Sequence, residues 1–297
     1  MSQTKHVLDF QDHRRELDDN RYVYAVVSRR SKGLSIGINL NPDKACNFAC
    51  PYCQVDRTTP GGSRTVDIDR LRRELDHLLG LVGSGTLWSV PPFSTARQEF
   101  RRVNDIAFAG DGEPTACPSF AEAVRCVGEV RQAHGLSDVS VHLLTNATLF
   151  HRARVQTGLM HLDAIGGEIW AKLDAGTQEY FQKVDGTTLS LSRVLTNVQE
   201  AALQRPIVLQ CMFMTIDGHG PDDTEVAAWA DRLDALLAAG GRIRLIQVYS
   251  VARRPAEASI DALPIERLEY IAAAAKAVVQ RHGADTDVSV YPGVAQG

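Results

Sequence analysis

Three cysteines crowd into the segment ACNFACPYCQVD, at Cys46, Cys50 and Cys53, in a C-x3-C-x2-C pattern. Thiolates this close in sequence can wrap one soft metal centre. A structural zinc site would need a fourth ligand, but His77 falls on the next predicted helix and Cys117 lies far along the chain. An iron–sulfur cluster fits better. A [4Fe–4S] cube has four irons, of which this loop can bind three, and the fourth then keeps the open position that makes a metal site reactive. The other cysteines, Cys117, Cys126 and Cys211, show no such spacing and read as small packing residues. For Cys211 a role as hydrogen-atom donor is the alternative.

Other polar residues stand at the ends of apolar runs. In FAGDGEPT (108–115), Gly112 lets the backbone approach a ligand and Glu113 offers a carboxylate to an ammonium group. LLTNAT places Asn146 at a strand terminus. In GEIWAKLD (167–174), alternation sets Glu168, Lys172 and Asp174 against Ile169, Ala171 and Leu173. Charges in such a strand must be paired or bound to a ligand, so either a lysine–aspartate ion pair or a ligand contact is expected. Gln210 shares a face with Met212 and Met214, and is either a ligand contact or a core amide bonded to backbone. Arg253 and Arg254 precede Pro255 and suit a substrate phosphate or carboxylate, or else belong to a solvated loop.

The elements that must position these residues alternate in type. Strand-like runs at 35–41, 105–110, 139–146, 167–174, 207–214 and 242–250 alternate with helical patterns near 67–82, 120–133, 151–160, 189–204, 222–239 and 264–282. Ser119 and Glu122 have capping-box spacing. Six strand–helix units argue for a parallel α/β architecture, an open or partial barrel, with a doubly wound sheet as the alternative. In either fold ligands gather at the carboxyl ends of the strands. Residues 1–34 read as an N-terminal extension with a strand-like YVYAVV, residues 35–283 as the barrel and 284–297 as a C-terminal tail. The connection 83–104 reads as a lid or as a plain solvated link.

At 297 residues, 44% hydrophobic and 23% charged, the composition excludes a disordered chain. The net charge of −4 divides into +3 over residues 1–110 and −7 over the rest, which argues against a dedicated nucleic-acid binder. No apolar run is long enough to span a bilayer, and the charged start MSQTKHVLDFQDHRRELDD is unlike a signal peptide. A cytoplasmic location, with reduced thiols, is the expectation.

CNFACPYC resembles the signature of the radical SAM superfamily, with Tyr52 in its aromatic place, and the resemblance runs over residues 35–253. It implies a partial (βα)6 TIM-like barrel of the radical SAM type. It also implies a [4Fe–4S] cluster on Cys46, Cys50 and Cys53, and reductive cleavage of S-adenosyl-L-methionine to a 5′-deoxyadenosyl radical. That radical would abstract a hydrogen atom from a substrate the sequence does not identify. The turn at Gly112 and Glu113 is similar to the family's GGE-type motif for the methionyl amino group, with Asp111 where a glycine often stands. By the same resemblance Lys172 and Asp174 bind the ribose hydroxyls and carboxylate of the cosubstrate, with Tyr52, Asn146 and Gln210 as further contacts. A flavodoxin- or ferredoxin-type partner would supply the electron. FAGDGEPT, WAKLDAG and residues 249–264 look like the wyosine-type, tRNA-modifying branch. The second cysteine set usual there is missing, which leaves a small molecule or a modified nucleoside as substrate and tRNA guanosine modification as the alternative. Outside enzymes, the rival reading is a zinc- or Fe–S-binding structural or electron-transfer protein.

Overall fold

A computed structural model describes residues 20–28, 33–91, 93–253, 255 and 257–293, which divide into two compact units. The first unit comprises residues up to 45, 60–143 and 153–168. It opens with strand β1 (Val23–Ser28), antiparallel to β2 (Gly33–Ile38). Helix α1 (Ile68–Gly83) follows, then β3 (Val103–Phe108), α2 (Phe120–Ala133), β4 (Ser140–Thr145) and α3 (Ala153–Ala164). β2, β3 and β4 pair in parallel.

Local chemistry sets these bounds. The Asp67 carboxylate accepts from the Arg70 amide at 2.9 Å, capping α1. Leu71, Leu75, Leu78 and Leu79 then form its buried stripe. Glu74 on the same helix is buried and accepts the backbone amides of Arg21, Tyr22 and Val23 at 2.9, 2.7 and 3.1 Å, which hooks β1 onto α1. α2 has the expected bounds, but the expected capping box does not form. Ser119 stands at the cap with ψ 22° and makes no side-chain bond, because a capping side chain needs extended backbone to reach back. The connection 83–104 is a packed link built on three short 3-10 turns. Leu87 and Phe93 are buried in it, and the Arg101 guanidinium donates to the carbonyls of Ala96 and Ser94 at 3.1 and 3.2 Å.

The second unit holds residues 46–59, 144–152 and 169–293. Its elements are β5 (Glu168–Lys172), α4 (Gln178–Asp185), α5 (Leu191–Gln204), β6 (Ile207–Met212), β7 (Met214–Ile216) and α6 (Asp223–Ala238). β8 (Ile243–Tyr249), β9 (Ile260–Ala262), α7 (Ile265–His282) and β10 (Asp287–Tyr291) complete it. β5, β6, β8 and β10 run parallel in that order, and Lys172, Gln210, Gln247 and Ser289 share one register row. The opposite face of β6 is apolar: Cys211 is fully buried beside Trp229 of α6. The Trp229 ring meets Phe213 edge-on at 5.2 Å, and its indole N–H donates to the Leu173 carbonyl at 3.1 Å.

Four elements depart from the sequence expectation. α4, the β7–β9 pair and β10 were not expected, and β10 falls in the segment 284–297 read as a tail. Its DVSVY alternation is a short strand pattern that pairs with β8 through Asp287↔Leu245 to Tyr291↔Tyr249. β1 likewise puts part of the expected N-terminal extension into the sheet, while residues 1–19 of that extension and 294–297 of the tail lie outside the described residues. Parallel strands alternating with helices dominate each unit, the mixed α/β partial-barrel class expected from the alternation.

Candidate functional site

The cysteine loop follows β2 in sequence and belongs to the second unit. None of the three cysteines forms a disulfide among the described residues, and all are half-buried. The loop is held from several sides. Asn47 donates through its amide to the Thr148 hydroxyl at 2.6 Å and accepts from the Asn146 amide at 2.7 Å. Phe48 meets Phe181 of α4 edge-on at 5.5 Å. The Cys53 amide donates to the Cys50 carbonyl at 3.0 Å, the Phe48 amide points at Cys46 Sγ at 3.5 Å, and Arg57 approaches Cys53 Sγ at 3.9 Å. Among the described residues, no three His, Cys, Asp or Glu side chains gather round one ion-sized point. Three half-buried thiols on one short loop are a donor set that fits a [4Fe–4S] cube.

Tyr52 turns inward from this loop into a buried polar network. Its hydroxyl accepts from Lys172 Nζ at 2.7 Å and donates to Asp174 Oδ2 at 2.5 Å, while the ammonium also sits 4.7 Å from the ring centroid. The second Asp174 oxygen accepts from the Met212 amide at 2.8 Å. Lys172, at the end of β5, and Asp174, just past it, are thus bridged by a third side chain, the form taken by the ion-pair alternative. Asp185, at the end of α4, closes the network: its Oδ1 lies 3.5 Å from Cys50 Sγ and 3.4 Å from the Tyr52 hydroxyl.

One cation thus serves two buried carboxyls, a phenol and a thiol. Burial lowers the Lys172 ammonium, but the negative charge of Cys50, Asp174, Tyr249 and Asp185 outweighs it and holds the group above the usual lysine range. Burial pushes the Cys50 thiol and the Tyr52 phenol up. Burial likewise raises both Asp174 and Asp185, partly opposed by Lys172 and, at Asp185, reinforced by Asp174. Together these groups cannot all be ionised at neutral pH.

The other expected contacts fall in different places. Asn146 is buried and spends its amide on Asn47, while its oxygen accepts from the Thr148 amide and hydroxyl at 3.2 and 2.7 Å. Gln210 is neighbour to Lys172 in the register row and donates to Gln247 Oε1 at 3.1 Å, a side-chain partner in place of the backbone partner of the core-amide alternative. Arg253 donates to Gln54 at 3.0 Å, beside Cys53 in the loop. Arg254 lies outside the described residues.

Gly112 and Glu113 belong to the first unit. Asn39, just past β2, grips Asp111 by its amide at 2.7 Å and accepts the Asp111 N–H at 3.2 Å. A Cβ on Gly112 would overlap the Ala45 carbonyl, which is the close approach that demands glycine here. The Glu113 amide donates to that same carbonyl at 3.1 Å. Its buried carboxylate caps the following 3-10 turn, accepting from the Thr115 amide and hydroxyl at 3.1 and 2.5 Å. Arg154 at the start of α3 fixes the far end of that turn, donating to the carbonyls of Cys117 and Ala116 at 2.7 and 3.3 Å.

Asp185, Asn47 and Asn39 were missed in the sequence. Asn47 sits inside the cysteine motif and Asn39 on the polar face of the first strand, so both had a positional signal. For Asp185 the signal was the pair of caps on α4. Thr177 accepts from the Tyr180 amide, and Gly186 takes the left-handed conformation at φ 55°.

No protein-family model matches the chain. Among curated proteins it is 26% identical over 173 residues to the GTPase Obg of Brachyspira hyodysenteriae, covering 57% of this chain and 21% of that protein. It is 25% identical over 166 residues to a UPF0026 protein of Helicobacter pylori, covering 55% and 46%. The chain thus spans less than half the length of the curated relatives it matches. Among solved structures it resembles SuiB of Streptococcus suis bound to S-adenosylmethionine, at TM-score 0.58 and 10% identity, covering 88% of this chain and 52% of that one. It also resembles a radical SAM methyltransferase from Sphaerobacter thermophilus, at TM-score 0.55 and 10% identity, covering 93% and 71%. A spore photoproduct lyase complexed with dinucleoside spore photoproduct matches at TM-score 0.54 and 10% identity, covering 94% and 80%. The fold of this chain is the fold of radical SAM enzymes.

Proposed function

We propose that the chain is a radical SAM enzyme that holds a [4Fe–4S] cluster on Cys46, Cys50 and Cys53 and uses it to act on a small molecule or nucleoside. The observation that carries this reading is the C-x3-C-x2-C loop following the first parallel strand of this particular fold. When bound, the cluster supplies an open iron for the amino and carboxylate groups of S-adenosylmethionine and the electron that cleaves it to methionine and a 5′-deoxyadenosyl radical.

The chain's own residues bind and orient. Glu113, held by Ala45 and Thr115, offers a fixed carboxylate to the methionyl ammonium. Lys172 and Asp174 offer a cation and an acceptor for the carboxylate and ribose hydroxyls, and Tyr52 holds both in place. Asn146 serves chiefly through Asn47 as a clamp on the loop, and Gln210 extends the polar row beside Lys172. Arg253 is the candidate for an anionic group of the substrate, and Arg254 is its neighbour in sequence. A flavodoxin- or ferredoxin-type protein is the proposed reductant. A tRNA guanosine of the wyosine type is the second substrate reading, favoured by the FAGDGEPT and WAKLDAG segments.

Anaerobic purification followed by iron, sulfide and zinc analysis tests the metal. Iron and sulfide in the wild-type chain, lost in Cys50→Ala, is the expected result; zinc without iron would overturn the reading in favour of the structural-zinc rival.

A further inference from the structure

Resting on that reading, we propose that Asp185, Gly186 and Thr187 form a cradle that positions the cysteine loop, with Asp185 as the positioning residue for Cys50 and Tyr52. Three consecutive residues at the end of α4 each meet the loop in a different way. The Asp185 carbonyl accepts from the Ala49 amide at 3.1 Å, and its side chain, 1% exposed, reaches Cys50 Sγ and the Tyr52 hydroxyl at 3.5 and 3.4 Å. Gly186, at φ 55°, lies so close to Ala49 that a Cβ there would overlap the Ala49 carbonyl. The Thr187 hydroxyl donates to the Asn47 carbonyl at 3.2 Å.

The grip reaches four positions of the motif: the backbone at Asn47 and Ala49, the sulfur at Cys50 and the hydroxyl at Tyr52. An ordinary helix end needs only its left-handed glycine; it does not need a buried carboxylate aimed at a thiol. Phe181, one turn earlier on α4, packs on Phe48 and fixes the direction from which the tripeptide approaches. The cradle sets the spacing of the sulfurs before metal arrives. Groups that orient ligands in this way typically change metal affinity about 10–100-fold when replaced.

The test uses the full chain, reconstituted anaerobically with iron and sulfide, as wild type and as Asp185→Asn, Gly186→Ala and Thr187→Val. Iron loss to a chelator should quicken about 10-fold or more in Asp185→Asn and Gly186→Ala, and less in Thr187→Val. The electron paramagnetic resonance spectrum of the reduced cluster should shift in Asp185→Asn. Asp185→Asn keeps the side-chain shape, so misfolding of Gly186→Ala, read by thermal melting, leaves the test intact. Wild-type iron retention and an unchanged spectrum in Asp185→Asn would overturn the proposal, as would a loss confined to S-adenosylmethionine affinity. Failure of the wild-type chain to take up iron would instead overturn the underlying function.

Discussion

At the scale of single residues, the site is built from polar side chains whose burial is offset only by partners or ligand. Lys172 is a cation shared by two buried carboxyls, a phenol and a thiol. Removing one partner of such a set leaves uncompensated buried charge, so Lys172→Met should cost about 3–5 kcal/mol at neutral pH, read as a lower urea midpoint. Asp174 and Asp185 have folded pKa values above their unfolded ones, a shift that favours folding below the unfolded pKa, and that advantage is lost as pH rises toward the folded pKa. Lys172→Met raises them further, so its deficit should shrink as the pH is lowered toward about 4, where unfolded carboxyls also bind protons. A deficit unchanged between neutral and acid pH would contradict the shared-cation picture. Glu113 stands apart from the cysteines in the chain and caps its own turn. Glu113→Gln should therefore leave iron and sulfide content at the wild-type level and weaken S-adenosylmethionine binding about tenfold, by equilibrium dialysis.

At the scale of elements, caps and stripes were readable because they are local. The helical patterns near 67–82, 222–239 and 264–282 begin or end close to the caps that Asp67, Asp222 and Gly283 form on α1, α6 and α7. The Ser119–Glu122 spacing was misleading, since a capping box depends on backbone conformation that spacing does not encode. α4 was missed because eight residues carry too few apolar positions to establish a period. With it went Asp185, whose partner Cys50 is 135 residues away. The cysteine spacing, the DGEP turn and the polar positions of β5 were legible; the wiring between them was not, because Tyr52, Lys172, Asp174 and Asp185 meet only through tertiary packing. Glu74 provides an element-scale test. With three backbone amides on one carboxylate, Glu74→Ala should destabilise by about 2–3 kcal/mol, and hydrogen exchange should quicken first in β1. Uniform quickening across α1 and β1 would argue against a specific hook.

At the scale of the whole molecule, composition said little and order of elements said much. Alternating strands and helices specified a parallel-dominated α/β fold, and the match to radical SAM structures at about a tenth sequence identity shows how little of that fold depends on particular residues. Function has to be argued from the site. No helix among the described residues is long and apolar enough to cross a membrane. The net charge of −4 weakens the case for a polyanionic substrate and favours a small one. Deuterium carried from a labelled candidate substrate into 5′-deoxyadenosine would identify it. The most direct measurement of the central claim is simpler. The reconstituted chain, reduced with dithionite in the presence of S-adenosylmethionine, should form 5′-deoxyadenosine and methionine, and Cys50→Ala should form neither. A reduced, iron-loaded chain that leaves S-adenosylmethionine intact would contradict the account.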